Sequence, residues 1–165
     1  LGGVLIFVTV GTHEQQFDRL VRAVDELKMA NSIKEPVYIQ TGYSEYVPEC
    51  CKYSRFLPFE EMHRMMVEAD VVVTHGGPSS FIEAMATGKV PVVVPRKSDL
   101  NEHVNDHQVD FVRMVAERQG GIVPVYDIKE LSTAIEQARD LTCDVSFKSH
   151  NADFCKDLAR IIEGI

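Results

Sequence analysis

Nothing in this 165-residue chain approaches the roughly 18 to 20 consecutive apolar residues of a membrane span, and no basic segment leads into an apolar one as in a secretory leader. The domain is therefore expected to be soluble and cytoplasmic. Positive charge is scarce as well: 17 basic against 25 acidic side chains leave a net charge of −8, which excludes a broad phosphate-tracking surface for DNA or RNA. No nucleic-acid partner is expected. Cys50, Cys51, Cys143 and Cys155 lack the CxxC spacing of a metal or redox site, and adjacent Cys50 and Cys51 would make a poor structural pair. They read as reduced thiols. Leu1-Gly2-Gly3 carries no weight as a structural signal.

Two fingerprints are absent. VGTHEQQ, not GxGxxG, follows the first apolar run, and no GxxxxGK[ST] occurs, which removes the common dinucleotide and ATPase loops. His103 and His107 are spaced i, i+4, but HVNDH lacks the glutamate of HExxH and shows no third ligand nearby. Neither a metal nor a cofactor is expected.

What the chain does have is organised around Asp70 to Pro95. Val71 to Val73 is too short for a helix, the Thr74-His75-Gly76-Gly77-Pro78-Ser79-Ser80 loop follows, a helical pattern closes at Gly88, and Val90 to Val94 is apolar again. Wholly apolar strands of this kind belong in a parallel sheet covered on both faces. Val4 to Val10 predicts a central strand. Thr12-His13-Glu14-Gln15 has capping-box spacing ahead of Phe17, Leu20, Val21, Val24 and Leu27 at helical period. Val37 to Thr41 predicts a second strand, Tyr43 to Tyr53 a loop, and Arg55 to Leu57 a short strand. Pro58 opens a helix with Glu60 and Glu61 in its first turn and Met62, Met65, Met66 and Ala69 on one face; a methionine stripe of this kind is read as core.

Arg96 to Asn101 predicts a loop. Val104, Gln108, Phe111 and Val115 mark a helix that ends at Gly120-Gly121, and Ile122 to Val125 another strand. Asp127 to Glu130 resembles a capping box ahead of Leu131, Ile135, Ala138 and Leu141. A terminal helix is expected over 146–165, with Phe154, Leu158, Ile161 and Ile165 on one face. Without a repeat or linker, the alternating elements predict one doubly wound α/β domain over 1–165, with a mainly parallel sheet that would bury roughly 70% of the unfolded surface.

Ligands of such sheets bind at the carboxyl ends of the strands. Two loops would open there, Gly11 to Gln16 and His75 to Ser80. Unpaired N–H groups at a helix start suit a phosphate, Gly76 and Gly77 would allow close approach, and Ser79 and Ser80 add hydroxyls. Gly77-Pro78 also reads as a plain helix start. Glu83, one turn on, could accept two hydrogen bonds from a ribose diol, or could be a solvated helix glutamate.

THGGPSSFIEAMATGKVPVVVP followed by NDHQ resembles the donor-binding, C-terminal half of the two-domain GT-B glycosyltransferases of family 28. IFVTVGTHEQQFDRLVRAVDEL is similar to the stand-alone catalytic subunits of paired bacterial capsular and exopolysaccharide glycosyltransferases. It is similar also to the eukaryotic cytosolic subunit that, with a membrane partner, extends dolichol-linked GlcNAc.

The resemblance implies a Rossmann-like half of a GT-B enzyme. Gly11 and Thr12 would border the diphosphate of a UDP-sugar, Gly76, Gly77, Ser79 and Ser80 would cradle it, and Glu83 would hold the ribose. Asn105, His107 and Gln108 would approach the sugar and diphosphate, with Asn105-Asp106 standing where the eukaryotic subunits read Asp-Asn. A hexose or N-acetylhexosamine would pass to a lipid-linked saccharide. A GT-B site lies between two domains, so a membrane-anchored acceptor-binding subunit is implied, docked in part on the terminal helix and recruiting the chain to the inner face of the membrane. His13 is the local candidate for the catalytic base. Two alternatives are a nucleotide-sugar binding or regulatory module without chemistry and an epimerase-like enzyme, the latter disfavoured by length.

Overall fold

The computed structural model describes residues 5–142; the expected terminal helix, Cys143 and Cys155 lie outside the described residues. Six strands form one sheet: β1 (Ile6–Thr9), β2 (Val37–Gln40), β3 (Lys52–Ser54), β4 (Val71–His75), β5 (Val92–Val94) and β6 (Val123–Pro124). Every pairing is parallel, in the order β3-β2-β1-β4-β5-β6. The helices are α1 (Asp18–Met29), α2 (Phe59–Glu68), α3 (Pro78–Ala86), α4 (His107–Arg118) and α5 (Leu131–Thr142).

Alternation along the central strands explains the two layers. Ile6 and Val8 of β1 and Val71 and Val73 of β4 pack with Leu20, Val21 and Val24 of α1 and Leu131, Ile135 and Ala138 of α5. Phe7 and Val72 face the opposite way, onto Met66 and Ala69 at the end of α2 and Ala84 of α3. Phe81 and Met85 of α3, Val93 of β5 and Val112 and Val115 of α4 complete that second layer. The methionine stripe is thus core at Met66, with Met62 and Met65 partly buried against the same cluster.

Three boundaries differ from expectation. β3 occupies Lys52–Ser54 rather than Arg55 to Leu57; as an edge strand with Lys52 and Tyr53 exposed, it needs no apolar pattern, so the sequence leaves no mark of it. Thr12 does not cap α1. The helix starts at Asp18, because the Gln15 and Gln16 carbonyls accept from the Arg96 guanidinium and the Phe17 N–H donates to Ser44 Oγ. α4 starts at His107, not near Val104, which is 72% exposed. His103 and His107 therefore do not share a helix face. Asp127 does act as a cap, accepting from the Lys129 N–H, but it opens a short 3₁₀ turn ahead of α5.

The long loop after β2 is pinned to α1 by two carboxylates. Asp18 accepts from the Glu45 and Tyr46 N–H groups, and buried Asp25 from the Glu49 and Cys50 N–H groups and the Tyr46 hydroxyl. Burial works to raise the Asp25 pKa, but the hydrogen bonds from Glu49, Tyr46, Cys50 and Cys51 outweigh it, and the net shift is downward. The Cys51 thiol is pushed up to about 12, by burial first and then by Asp25, so it stays protonated and inert at neutral pH.

A depressed folded-state pKa adds stability that is fully present above the unfolded value of about 3.9 and is lost as the pH falls through the folded value. Asp25→Asn is expected to cost about 2 kcal/mol at neutral pH, a fall in Tm of roughly 4 to 8 °C. Thermal melts should show the gap to the wild type closing below about pH 4.

Candidate functional site

Leaving β1, the chain crosses by α1 to β2 on one side; β4 returns on the other side of β1. The order 3-2-1-4-5-6 reverses between β1 and β4, and ligands of such sheets bind outside the strand ends at that switch point. A cleft of ≈ 610 Å³ opens there. Gly11, Thr12 and His13 come to it from the end of β1, Gln40 from the end of β2, and His75, Ser79, Ser80 and Glu83 from β4 and α3. Phe56, Leu57, Phe59 and Met62 form an apolar wall, with Phe59 75% exposed.

The polar end is built around His75. Its ring lies between two glycines: a Cβ on Gly11 would stand 2.3 Å from His75 Nε2, and a Cβ on Gly77 2.2 Å from Cε1. Gly11 also has φ +78, which disfavours any side chain. The Gly77 N–H donates to His75 Nδ1 at 3.1 Å, and Gln108 Nε2 approaches the same nitrogen at 3.4 Å. With two donors on Nδ1, the ring proton belongs on Nε2, which lies 3.1 Å from Ser80 Oγ. Ser80 accepts there and keeps its own proton to donate into the cleft. Burial above all, then Arg96, His13 and His103, hold the His75 pKa down at about 3 against the hydrogen bond from Gln108, so the ring is neutral.

Gln40 fixes the neighbouring turn. Its Oε1 accepts from the Thr9 hydroxyl at 2.6 Å and the Gly11 N–H at 3.2 Å, and its Nε2 donates to the carbonyls of Gly11 and Arg55. One amide thereby ties the loop after β1 to the start of the apolar wall.

Of the site residues expected from the sequence, Gly11, Thr12, His13, Ser79, Ser80 and Glu83 line this cleft. Glu83 stands near His63 at 3.4 Å, with its side chain 25% exposed. Gly76, Gly77, Asn105, His107 and Gln108 are not part of the lining. The Gly76 N–H donates to Gln108 Oε1, and a Cβ on Gly76 would press on Gln108 Cβ and Pro95 Cα at 3.0 Å. The same Gln108 oxygen accepts from the Arg96 N–H, so this glutamine clamps two loops from beneath. Asn105 Oδ1 accepts from the His107 N–H at the exposed start of α4.

Gln40 and the apolar wall are lining residues that the sequence reading does not reach, and His75 is placed by it in the loop without a role. A histidine or glutamine ending an apolar strand beside a glycine turn is the signal that could find His75 and Gln40. Among the described residues, no three His, Cys, Asp or Glu side chains converge to hold a metal ion. No described helix is long and apolar enough to cross a membrane.

Comparisons with known proteins agree with the architecture. The glycotransferase of kitacinnamycin superposes with TM-score 0.69 at 18% identity, over 96% of this chain and 40% of that one. MurG of Acinetobacter baumannii gives 0.59 at 19%, over 98% and 50%. A UDP-glucose: anthocyanidin 3-O-glucosyltransferase, solved in complex with UDP, gives 0.61 at 17%, over 93% and 36%. The chain thus spans half or less of the length of these solved proteins, and at such identities the likeness is one of fold, the Rossmann-like half of a GT-B enzyme. No curated protein matches the sequence. A family model does match, across residues 5–159, and it assigns the chain to the glycosyltransferase family 28 C-terminal domain.

Proposed function

We propose that the cleft between β1 and β4 binds a UDP-sugar and that the chain is the donor-binding, catalytic subunit of a glycosyltransferase completed by a second, membrane-anchored polypeptide. The observation that carries this reading is the division of the cleft. Its hydroxyl donors, Ser79 and Ser80, stand in the first turn of α3, its apolar wall, Phe56, Leu57, Phe59 and Met62, comes from a separate stretch of chain leading into α2, and Glu83 is also in the lining. A UDP-sugar has the same chemical parts: a dianionic diphosphate diester, a diol and a flat ring. The diphosphate is held by Ser80, which His75 orients, and by the positive end of the α3 dipole. The Glu83 carboxylate accepts from the ribose hydroxyls, and the ring lies along the aromatic wall.

In the transfer, the bond between the anomeric carbon and the UDP oxygen breaks as an acceptor hydroxyl attacks from the opposite face. The electron pair leaves with UDP, and the proton goes to a base. Donors aimed at the diphosphate stabilise the charge that grows there, which lowers the barrier more than it tightens ground-state binding. A hexose or N-acetylhexosamine is the transferred group and a lipid-linked saccharide the acceptor, at the inner face of the membrane in polysaccharide biosynthesis. The likeness of the opening segment, from Ile6 to Leu27, to paired bacterial subunits supports these assignments.

A thermal-shift panel tests the donor site. UDP at about 100 times its Kd is expected to add about 2.7 kcal/mol, a rise of roughly 5 to 11 °C. A rise with NAD and none with UDP or UDP-sugars contradicts the proposal.

A further inference from the structure

Among the described residues that line the cleft there is neither lysine nor arginine. A diphosphate diester brings two negative charges, and hydrogen-bond donors alone leave them without a counter-ion. The basic side chains in the lining are His75 and His13. His75 is committed as a neutral ring by the donors on its Nδ1. His13 is not so committed.

The His13 imidazole stacks on His103 with ring centroids 4.3 Å apart and planes at 13°. Gln15 fixes its tautomer: the Gln15 amide N–H reaches the Asn101 carbonyl, which turns its Oε1 to His13 Nε2 at 2.9 Å. The Nε2 proton is thereby used, and Nδ1 is the nitrogen left to take up another.

Burial and the charges around His103 disfavour its protonated form. The Arg96 cation from the end of β5, His107 from the start of α4 and His13 itself act on His103, and together with burial, the largest cause, they hold its pKa below the ordinary value. His75 from β4 adds a third ring but no negative charge. Of the nearby acids, Asp106 acts on His103 as an opposing charge, though its hydrogen bonds go to the N–H and hydroxyl of Ser98. Glu102 is bound by Arg19 and by the Lys97 N–H, and Glu83 lines the same cleft from α3.

We propose that donor binding carries a proton onto the stacked His13–His103 pair, which then serves as the counter-ion of the diphosphate. The inference rests on the donor-site reading of the cleft. An arriving dianion opposes the local balance that disfavours an imidazolium at His103, and a proton on one of the stacked rings disfavours a second on the other. His13 is then a cation during transfer, and the base that accepts the acceptor's proton is another group.

Isothermal titration of the wild-type chain with UDP-glucose tests this, because its diphosphate diester does not itself titrate near neutral pH. In buffers of different ionisation enthalpy at about pH 7.5, the heats should report uptake of a substantial fraction of one proton per ligand. Kd should tighten as the pH is lowered from about 8 to about 6, by at most tenfold per unit. His13→Gln should reduce the uptake and weaken the pH dependence while leaving Tm near the wild-type value, and His13→Gln combined with His103→Gln should abolish both.

Buffer-independent heats with saturable binding overturn the inference and leave the donor site standing. Uptake that survives when His13→Gln is combined with His103→Gln overturns the assignment to this pair. Failure of UDP-glucose and UDP to bind overturns the donor-site reading and the inference with it.

Discussion

Arg96→Met is expected to lower Tm by roughly 6 to 12 °C, the equivalent of about 3 kcal/mol or more. Arg96 is fully buried, and its guanidinium donates to the carbonyls of Val10 at 2.7 Å, Gln15 at 2.8 Å, Gln16 at 3.3 Å and Glu102 at 2.9 Å. It also lies 4.9 Å from the centre of the Phe17 ring. Burial pushes its pKa down to about 10 and Glu102 opposes the fall, so it stays charged at neutral pH.

Methionine fills much of the volume but satisfies none of the four carbonyls, and a stranded buried acceptor costs about 1 to 3 kcal/mol. Lysine would restore the charge without the planar fork that spans both loops, so Arg96→Lys should fall between. Three of these carbonyls, those of Val10, Gln15 and Gln16, flank the segment that carries Gly11, Thr12 and His13. Loss of stability should therefore come with weaker UDP binding; a Tm within about 2 °C of wild type would show that Arg96 is not the brace.

Glu83→Ala should act in the opposite manner, on binding and not on folding. The residue is partly exposed, its contact to His63 is long, and alanine suits a helix interior, so Tm in the absence of ligand should move by less than about 2 °C. Two hydrogen bonds from a ribose diol to a carboxylate are together worth about 3 kcal/mol, and Kd for UDP should rise on the order of 100-fold. Glu83→Gln keeps one acceptor oxygen and loses the charge, and should recover part of the affinity. A calorimetric titration in which Glu83→Ala binds UDP as tightly as wild type removes the ribose role.

The layers of the fold could be read from the chain because they follow from burial alone. Ile6 to Val10 and Val71 to Val73 are almost wholly apolar because helices cover both faces, and Leu20, Val21 and Val24 repeat at helical period because one side of α1 is buried. What could not be read depends on contacts between distant residues. Arg96 reaches Val10 across 86 positions and takes the carbonyls that a helix start at Thr12 would have used. Gln108 meets Gly76 across 32 positions, and its role in holding the loop from beneath has no local mark in the sequence.

The cleft divides along the same line. Thr12, Ser79, Ser80 and Glu83 stand beside glycines and a helix start, where the local pattern is informative, and all four line it. His75 gains its meaning only from being enclosed by Gly11 and Gly77, one of them on another strand loop. Phe56 and Phe59 flank a proline in an exposed stretch without period, and only the tertiary arrangement turns them into a wall.

The central claim is that the switch-point cleft is the nucleotide site, and a backbone amide map of the chain titrated with UDP tests it most directly. The molecule offers a rival surface, a groove of ≈ 580 Å³ beside α1 lined by Arg19, Arg22, Glu26 and Leu100. If the cleft is the site, saturable shifts will centre on Gly11 to His13, Phe56 to Phe59 and Ser79 to Glu83, with the α1 groove unmoved. Saturable shifts centred on Arg19 and Arg22, with the cleft residues unmoved, would contradict it.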